Sequence, residues 1–213
     1  MWSQCDLIVM SSQNAPISDV DFATSIEASL APRGLKILVH EKFQDQLRNK
    51  GFGELENSEY ILQPYEALYL LHTKRLVLYS KGGNNIDFDS LIAMTLKHDK
   101  DILTRFLIYR DLRSRGYVAK EGFGFGVDFR VYERGEFELK PAKYVIFGIN
   151  EGSDIQASVF AKAIEEIGTM GKLAVVAVIE RRGEIIYYKV TRLRFVGNNK
   201  SGPNQVPFLA TKS

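Results

Sequence analysis

The chain is short of several things. Cys5 is its only cysteine, which excludes an internal disulfide and any cysteine-based zinc cluster and points to a reducing, cytoplasmic setting. No apolar run approaches the roughly 20 residues that cross a bilayer. The opening MWSQCDLIVMSS has no basic stretch ahead of its apolar part, so it reads as a first strand and not as a signal peptide. Histidine is scarce too: His40, His72 and His98 all lie in the first half.

What is present suits a globular protein. The 213 residues are 45% hydrophobic and 25% charged, enough apolar material for one large or two small domains. The net charge of +2 conceals an asymmetry. Residues 1–99 carry 9 Lys and Arg against 13 Asp and Glu, whereas residues 100–213 carry 19 against 13. An acidic half joined to a basic half suggests two modules, the second facing a polyanion.

The first half alternates strand and helix patterns. SDVDFATSIEASLAPRG predicts a helix opening at Ser18 and stopped by Pro32-Arg33-Gly34. LKILVH, YILQP and LVLYS read as strands. EKFQDQLRNKGFG reads as a helix ended by Gly51, and PYEALYLLHTKR as one with Pro64 in its first turn and Ala67, Leu68, Leu70 and Leu71 as its buried stripe. SKGGNN is the clearest linker pattern. IDFDSLIAMTLKHDK follows as a helix capped by Asp87 or Asp89.

In the second half, DKDILTRFLIYRDLRSRG places Ile102, Leu103, Phe106, Leu107 and Leu112 on one helical face, with Arg105, Arg110, Arg113 and Arg115 mostly opposite. YVAKEGFGFGVDFRVYERG gives a strand, a glycine-rich turn and an alternating strand. KYVIFGI and KLAVVAVIE are continuous apolar runs, hence central strands. SDIQASVFAKAIEEIGTMG between them is a helix with a capping box of Ser153 and Gln156, stopped at Gly168. ERRGE turns the second run back into IIYYKVTRLRF as a hairpin. The expected class is α/β in two domains: a small mixed N-terminal one over 1–92, and a C-terminal one over 96–196 with a mixed central sheet flanked by helices. A polar tail covers 197–213.

These blocks carry a resemblance. LRNKGFGELENSEYILQPYEALYLLHTKRLVLY resembles the N-terminal domain of archaeal tRNA-splicing endonucleases, marked by a G-F/Y-G turn and an E-A-x-Y-L-L helix. FLIYRDLRSRGYVAKEGFGFGVDFRVYERG, then AKYVIF, then KLAVVAVIERRGEIIYYKV, resemble their C-terminal nuclease domain. The match runs from about residue 46 to 194, in the family's order and spacing.

The resemblance implies cofactor-free cleavage of precursor tRNA at bulge–helix–bulge junctions, leaving a 2′,3′-cyclic phosphate and a 5′-OH. That chemistry needs a base, an acid and a cation for charge building on phosphorus. The family supplies these with a Tyr, a His and a Lys. The Tyr falls on Tyr132, the His on Pro141, and the Lys on Gly171 or its neighbour Lys172. A proline ring nitrogen neither gives nor takes a catalytic proton, and a lone phenol near pKa 10 is a poor base at neutral pH. The implied role is a structural, non-catalytic subunit that pairs with a catalytic endonuclease subunit in a heterotetramer, two of each.

Two other chemistries stay open. Asp128, Glu138 and Lys140 match the carboxylate–carboxylate–lysine pattern of magnesium-dependent nucleases, a short pattern that also describes a solvated charged loop. A self-sufficient cutting subunit with a relocated acid is the other. For RNA contact the candidates are Arg130, Arg134, Arg181, Arg182, Arg192 and Arg194, since guanidinium groups pair with phosphate and stack on unpaired bases. Arg181 and Arg182 make basic a turn that is acidic in many family members, where it plugs a partner's cleft. The last strand offers Tyr187, Tyr188, Val190, Leu193 and Phe195 as subunit-interface candidates.

Overall fold

The computed structural model describes residues 22, 24–31, 35–124 and 126–191. The expected first strand CDLIVMS, the tail, and Arg192, Leu193, Arg194 and Phe195 lie outside them.

Six strands form the first sheet in the order β3-β4-β2-β1-β5-β6. They are β1 (Ile26–Leu30), β2 (Ile37–Val39), β3 (Glu54–Glu56), β4 (Glu59–Leu62), β5 (Leu76–Tyr79) and β6 (Asn85–Ile86). Helices α1 (Gln44–Asn49), α2 (Pro64–His72) and α3 (Phe88–Thr95) belong to the same half. Five strands form the second sheet in the order β11-β10-β9-β8-β7. They are β7 (Val118–Glu121), β8 (Phe129–Tyr132), β9 (Tyr144–Asn150), β10 (Leu173–Ile179) and β11 (Ile185–Val190), with helices α4 (Ile102–Ser114) and α5 (Ala157–Thr169) on its faces. β9 and β10 run parallel across the α5 connection, and their other neighbours are antiparallel. The class is mixed α/β, as the alternating patterns imply.

Several expectations need correction. The segment read as helical through Ile26–Leu30 is strand β1, antiparallel to β2 and parallel to β5. Ile26 and Ala28 point inward while Glu27 and Ser29 are exposed, a period of two that pairing with β2 and β5 selects over helical propensity. SKGGNN is no linker but a hairpin turn between β5 and β6. The Ser80 N–H donates to the Asn84 carbonyl at 2.8 Å, and Gly83 takes φ +80°. Strand β3 was not anticipated; it pairs with β4 through Asn57 and Ser58, both at positive φ, as a two-residue hairpin turn requires.

Helix ends differ in detail. Asp87 is the cap of α3, its carboxylate accepting from the Ser90 N–H at 2.9 Å. Ser153 caps nothing: α5 begins after Gln156, without a side-chain cap. Gly168 lies inside α5, and the stop is Gly171 at φ +68°. There the Lys172 N–H reaches the Ile167 carbonyl and the Gly171 N–H that of Gly168, a Schellman arrangement.

One core joins the two sheets, running from Ile26 and Leu78 through Phe52, Tyr65, Leu68 and Tyr109 to Phe129, Ile146 and Val175. The inward face of α4 is not the expected stripe. Leu103 is exposed and Leu107 half-buried, whereas Ile108, Tyr109 and Arg113 are buried. Arg113 turns inward because its guanidinium lies 4.0 Å from the Phe52 ring centroid and donates to the Lys50 carbonyl at 2.8 Å. In α2, Leu71 is only half-buried, and Tyr65, Glu66 and Tyr69 join the buried face. No helix among the described residues is long and apolar enough to cross a membrane.

Candidate functional site

Strand β8 delivers Tyr132 to a turn closed by Gly135 at φ +73°. The chain then makes a short turn in which the Leu139 and Lys140 N–H groups both reach the Glu136 carbonyl. Pro141 and Ala142 lead from there into β9. Tyr132 is half-buried and meets Phe137 edge-on, centroids 5.1 Å apart at 89°. Glu138 takes φ +65°, a left-handed conformation rare for a non-glycine residue.

This segment forms one wall of a cleft of about 590 Å³ that includes Tyr132, Glu138, Lys140 and Pro141. The facing wall comes from the other sheet: Arg48 after the middle of α1, and Glu54, Leu55 and Tyr60 of the β3–β4 hairpin. Lys120 and Arg130, register partners on β7 and β8, complete the lining.

Buried charge holds the two walls together. Glu66 on α2 is fully enclosed; its oxygens accept from the Gly53 N–H at 3.1 Å and the Gln63 N–H at 3.0 Å. Lys120 crosses from the second sheet, its Nζ 3.6 Å from Glu66 Oε1 and 2.6 Å from the Gly53 carbonyl it donates to. Burial pushes the Glu66 carboxyl above its ordinary range, while Lys120 and the backbone N–H groups pull it back. Tyr60 donates to the Phe52 carbonyl at 2.6 Å, and burial, with Glu66 nearby, pushes its phenol up to about 12. On the rim Arg130 pairs with Glu54 at 3.1 Å.

The residues matched to a cleaving site come together in part. Tyr132 and Pro141 share the cleft. Lys172, half-buried, approaches from behind the same segment, its Nζ donating to the Ala142 carbonyl at 2.7 Å. Gly171 is exposed at the end of α5, where its left-handed φ suits glycine and strains any side chain. None of the cleft's lining residues is a histidine. His40, His72 and His98 are exposed on the first half of the chain, His72 against Phe88 and Phe106.

The acid–acid–lysine pattern is spread over two surroundings. Glu138 and Lys140 line the cleft, Lys140 paired with Glu136. Asp128 is not among the lining residues; its Oδ2 accepts from the Gly148 N–H at 2.6 Å and its Oδ1 lies 3.8 Å from Arg105. Among the described residues no three His, Cys, Asp or Glu side chains are grouped to hold a metal ion.

The arginines are dispersed as well. Arg134 is exposed beside the Tyr117 ring. Arg181 and Arg182 sit at the β10–β11 turn, Arg181 against Glu151. Seven residues of β10 separate that turn from Lys172, roughly 20 Å at the rise of a strand. On β11, an edge strand, Tyr187 is buried with its hydroxyl donating to Asp111 at 2.8 Å, while Tyr188 and Val190 are half-buried.

Composition and spacing did not single out Glu66, Lys120, Arg113 or Arg48. The available signal was a charge set within an apolar face: Glu66 among Tyr65, Ala67 and Leu68, and Arg113 one turn after Tyr109.

The cleft between the two sheets thus brings together a phenol, a nearby lysine and cations on both walls. Residues 33–92 match the tRNA intron endonuclease N-terminal domain, and residues 102–187 the tRNA intron endonuclease catalytic C-terminal domain. The chain is 31% identical over 156 residues to a tRNA-splicing endonuclease of Thermococcus onnurineus, covering 73% of this chain and 90% of that one. It is 30% identical over 156 residues to that of Pyrococcus furiosus, covering 73% and 89%, and 29% identical over 160 residues to that of Methanococcus vannielii, covering 75% and 90%. The chain belongs to the tRNA intron endonuclease family.

Proposed function

We infer that this chain is the structural, non-catalytic subunit of a cytoplasmic tRNA-splicing endonuclease. It joins a catalytic subunit in a heterotetramer of two copies each, and together they excise introns from precursor tRNA. The observation that carries this reading is Pro141. It lines the cleft with Tyr132, no imidazole is among the lining residues, and the resemblance puts the family's histidine at this position. Departure of the 5′-oxygen needs a proton donor within hydrogen-bond reach, and proline supplies none. Tyr132, Pro141, Gly171 and Lys172 are then remnants of a site, retained as wall and helix stop. Tyr188 and Val190 on the β11 edge are candidates for the subunit contact, with the arginines adding basic surface for RNA.

The test is reconstitution. Purified chain incubated in EDTA with a bulge–helix–bulge RNA leaves it intact, and adding the catalytic subunit produces cleavage with 2′,3′-cyclic phosphate ends. Clean cutting by the chain alone in EDTA overturns the reading. So does magnesium-dependent cutting that disappears with Glu138→Ala.

A further inference from the structure

Strand β3 is the outermost strand of the first sheet among the described residues, and its outer edge is open. All three of its residues are exposed, Leu55 at 63%, and Leu139 on the other wall of the cleft is exposed at 79%. Glu56 and Glu59 flank the two-residue turn as register partners. In such a hairpin the closing pair exchanges both hydrogen bonds, so the N–H and C=O of the next residue point away from the partner strand. That residue is Leu55. An apolar side chain flanked by an outward donor and acceptor is a template for a further strand. The neighbouring carboxylates do not bar one, because Glu54 pairs with Arg130 at 3.1 Å and Glu56 with Lys36 at 3.0 Å. The opposite edge of the sheet differs: β6 has two residues, and its one apolar side chain, Ile86, is buried.

The chain carries a segment suited to the open edge. The run Cys5–Met10, CDLIVM, has strand composition and lies upstream of the N-terminal family match, which begins at residue 33. The described structure starts at Phe22, buried with its ring centroid 6.1 Å from that of Phe52. Phe52 stands two residues ahead of β3, so Phe22 anchors the upstream segment close to that edge. Eleven residues, SSQNAPISDVD, separate Met10 from Phe22. They are mostly polar and span about 18 Å as a coil and about 36 Å when extended. A tether of that length holds the run near the edge at about millimolar effective concentration. Side chains alternate along a strand, so either register sets two apolar residues on the face of Leu55: Leu7 with Val9, or Ile8 with Met10.

We propose that Cys5–Met10 adds to the open edge of β3 as a seventh strand of the first sheet, covering Leu55 and forming one lip of the cleft. The inference does not depend on whether the chain cuts RNA. Its consequence is that the N-terminal segment closes an edge that would otherwise be open to strands of other chains.

Cys5 is the only cysteine, which lets the test be run on the full chain. A nitroxide attached to Cys5 should broaden the amide signals of Glu54, Leu55 and Glu56 most strongly. The effect should fade across the sheet toward Asn85, about 24 Å away at the spacing of neighbouring strands. A mixture of nitroxide-labelled chains and separate isotope-labelled chains should show no such broadening. Without the nitroxide, the Leu55 amide should exchange with solvent about tenfold faster, or more, in the double variant Ile8→Asp, Val9→Asp than in the parent. That pair puts a carboxylate on the face of Leu55 in either register. Unchanged signals outside β3 separate loss of the strand from loss of the fold; should the variant unfold, the nitroxide on the otherwise native chain decides alone. Broadening that persists in the mixture assigns the edge to a second copy and overturns the proposal. Broadening centred on Asn85 and Ile86, or equal Leu55 exchange in parent and folded variant, overturns it as well.

Discussion

Helix α4 covers one face of the second sheet and helix α5 the other, and the two faces are filled differently. Beneath α4, Ile146, Val175, Ala177 and Tyr187 merge with the core of the first sheet. Charges are enclosed there too: Arg113 over Phe52, and Lys120 against Glu66. Beneath α5 the cluster is smaller and wholly apolar, built on Val145, Phe147, Ala163, Ile164, Ile167 and Ala174. The outer side of α5 leaves Val159 exposed. The first face fixes one sheet against the other and so sets the width of the cleft; the second only roofs the sheet. Ions enclosed between two walls tie their separation to hydrogen-bond geometry, which apolar packing does not do.

The contrast can be broken at Glu66. Glu66→Ala removes the acceptor for the Gly53 and Gln63 N–H groups and strands the Lys120 charge. The expected loss is about 3–5 kcal/mol in urea unfolding at neutral pH. Lys120→Met in the same chain should recover part of it, and no recovery would mean the pair is not coupled. On the other face, Ile167→Ala should cost about 2–3 kcal/mol, the low end for a buried isoleucine, because α5 can settle onto a small cluster. A loss as large as that of Glu66→Ala would erase the distinction between the faces.

Two smaller effects sharpen it. Gly171→Ala should cost about 1 kcal/mol through its left-handed φ alone, since open space surrounds the added methyl. A neutral result would show the end of α5 free to rearrange. Glu133 gives a pH test. Hydrogen bonds from Lys143 and Tyr144 hold its carboxyl below the ordinary glutamate range. Its contribution is therefore present above the unfolded pKa and lost as pH falls through the lowered folded value. Glu133→Gln should therefore lower the melting temperature slightly near neutrality, with the difference from the parent shrinking away as pH falls through the acid range.

Much of the fold was legible from the residues. The apolar runs of β9 and β10, the hairpin at ERRGE and Pro64 opening α2 all stand where local chemistry puts them. Ile26–Leu30 was misread because its alternation covers only five residues and sits among helix-favouring neighbours. SKGGNN looked like a linker because two glycines and two asparagines serve a hairpin turn as well as a joint. Ser153 and Gln156 have capping-box spacing, but the chain enters α5 three residues later. In the site, Tyr132 and Pro141 came from motif spacing, and their cleft is observed. The facing wall of Arg48 and Leu55 was invisible because it comes from another sheet, more than 70 residues upstream.

The sequence by itself determined most of the element types, the family blocks and a proline at 141 that can neither give nor take a proton, since these depend on local pattern and residue chemistry. Tertiary structure decided which charges are buried, which leucines stay open and which two surfaces make the cleft. Those outcomes depend on long-range packing: a Glu66–Lys120 contact spanning 54 positions is favourable only after both sheets have closed around it.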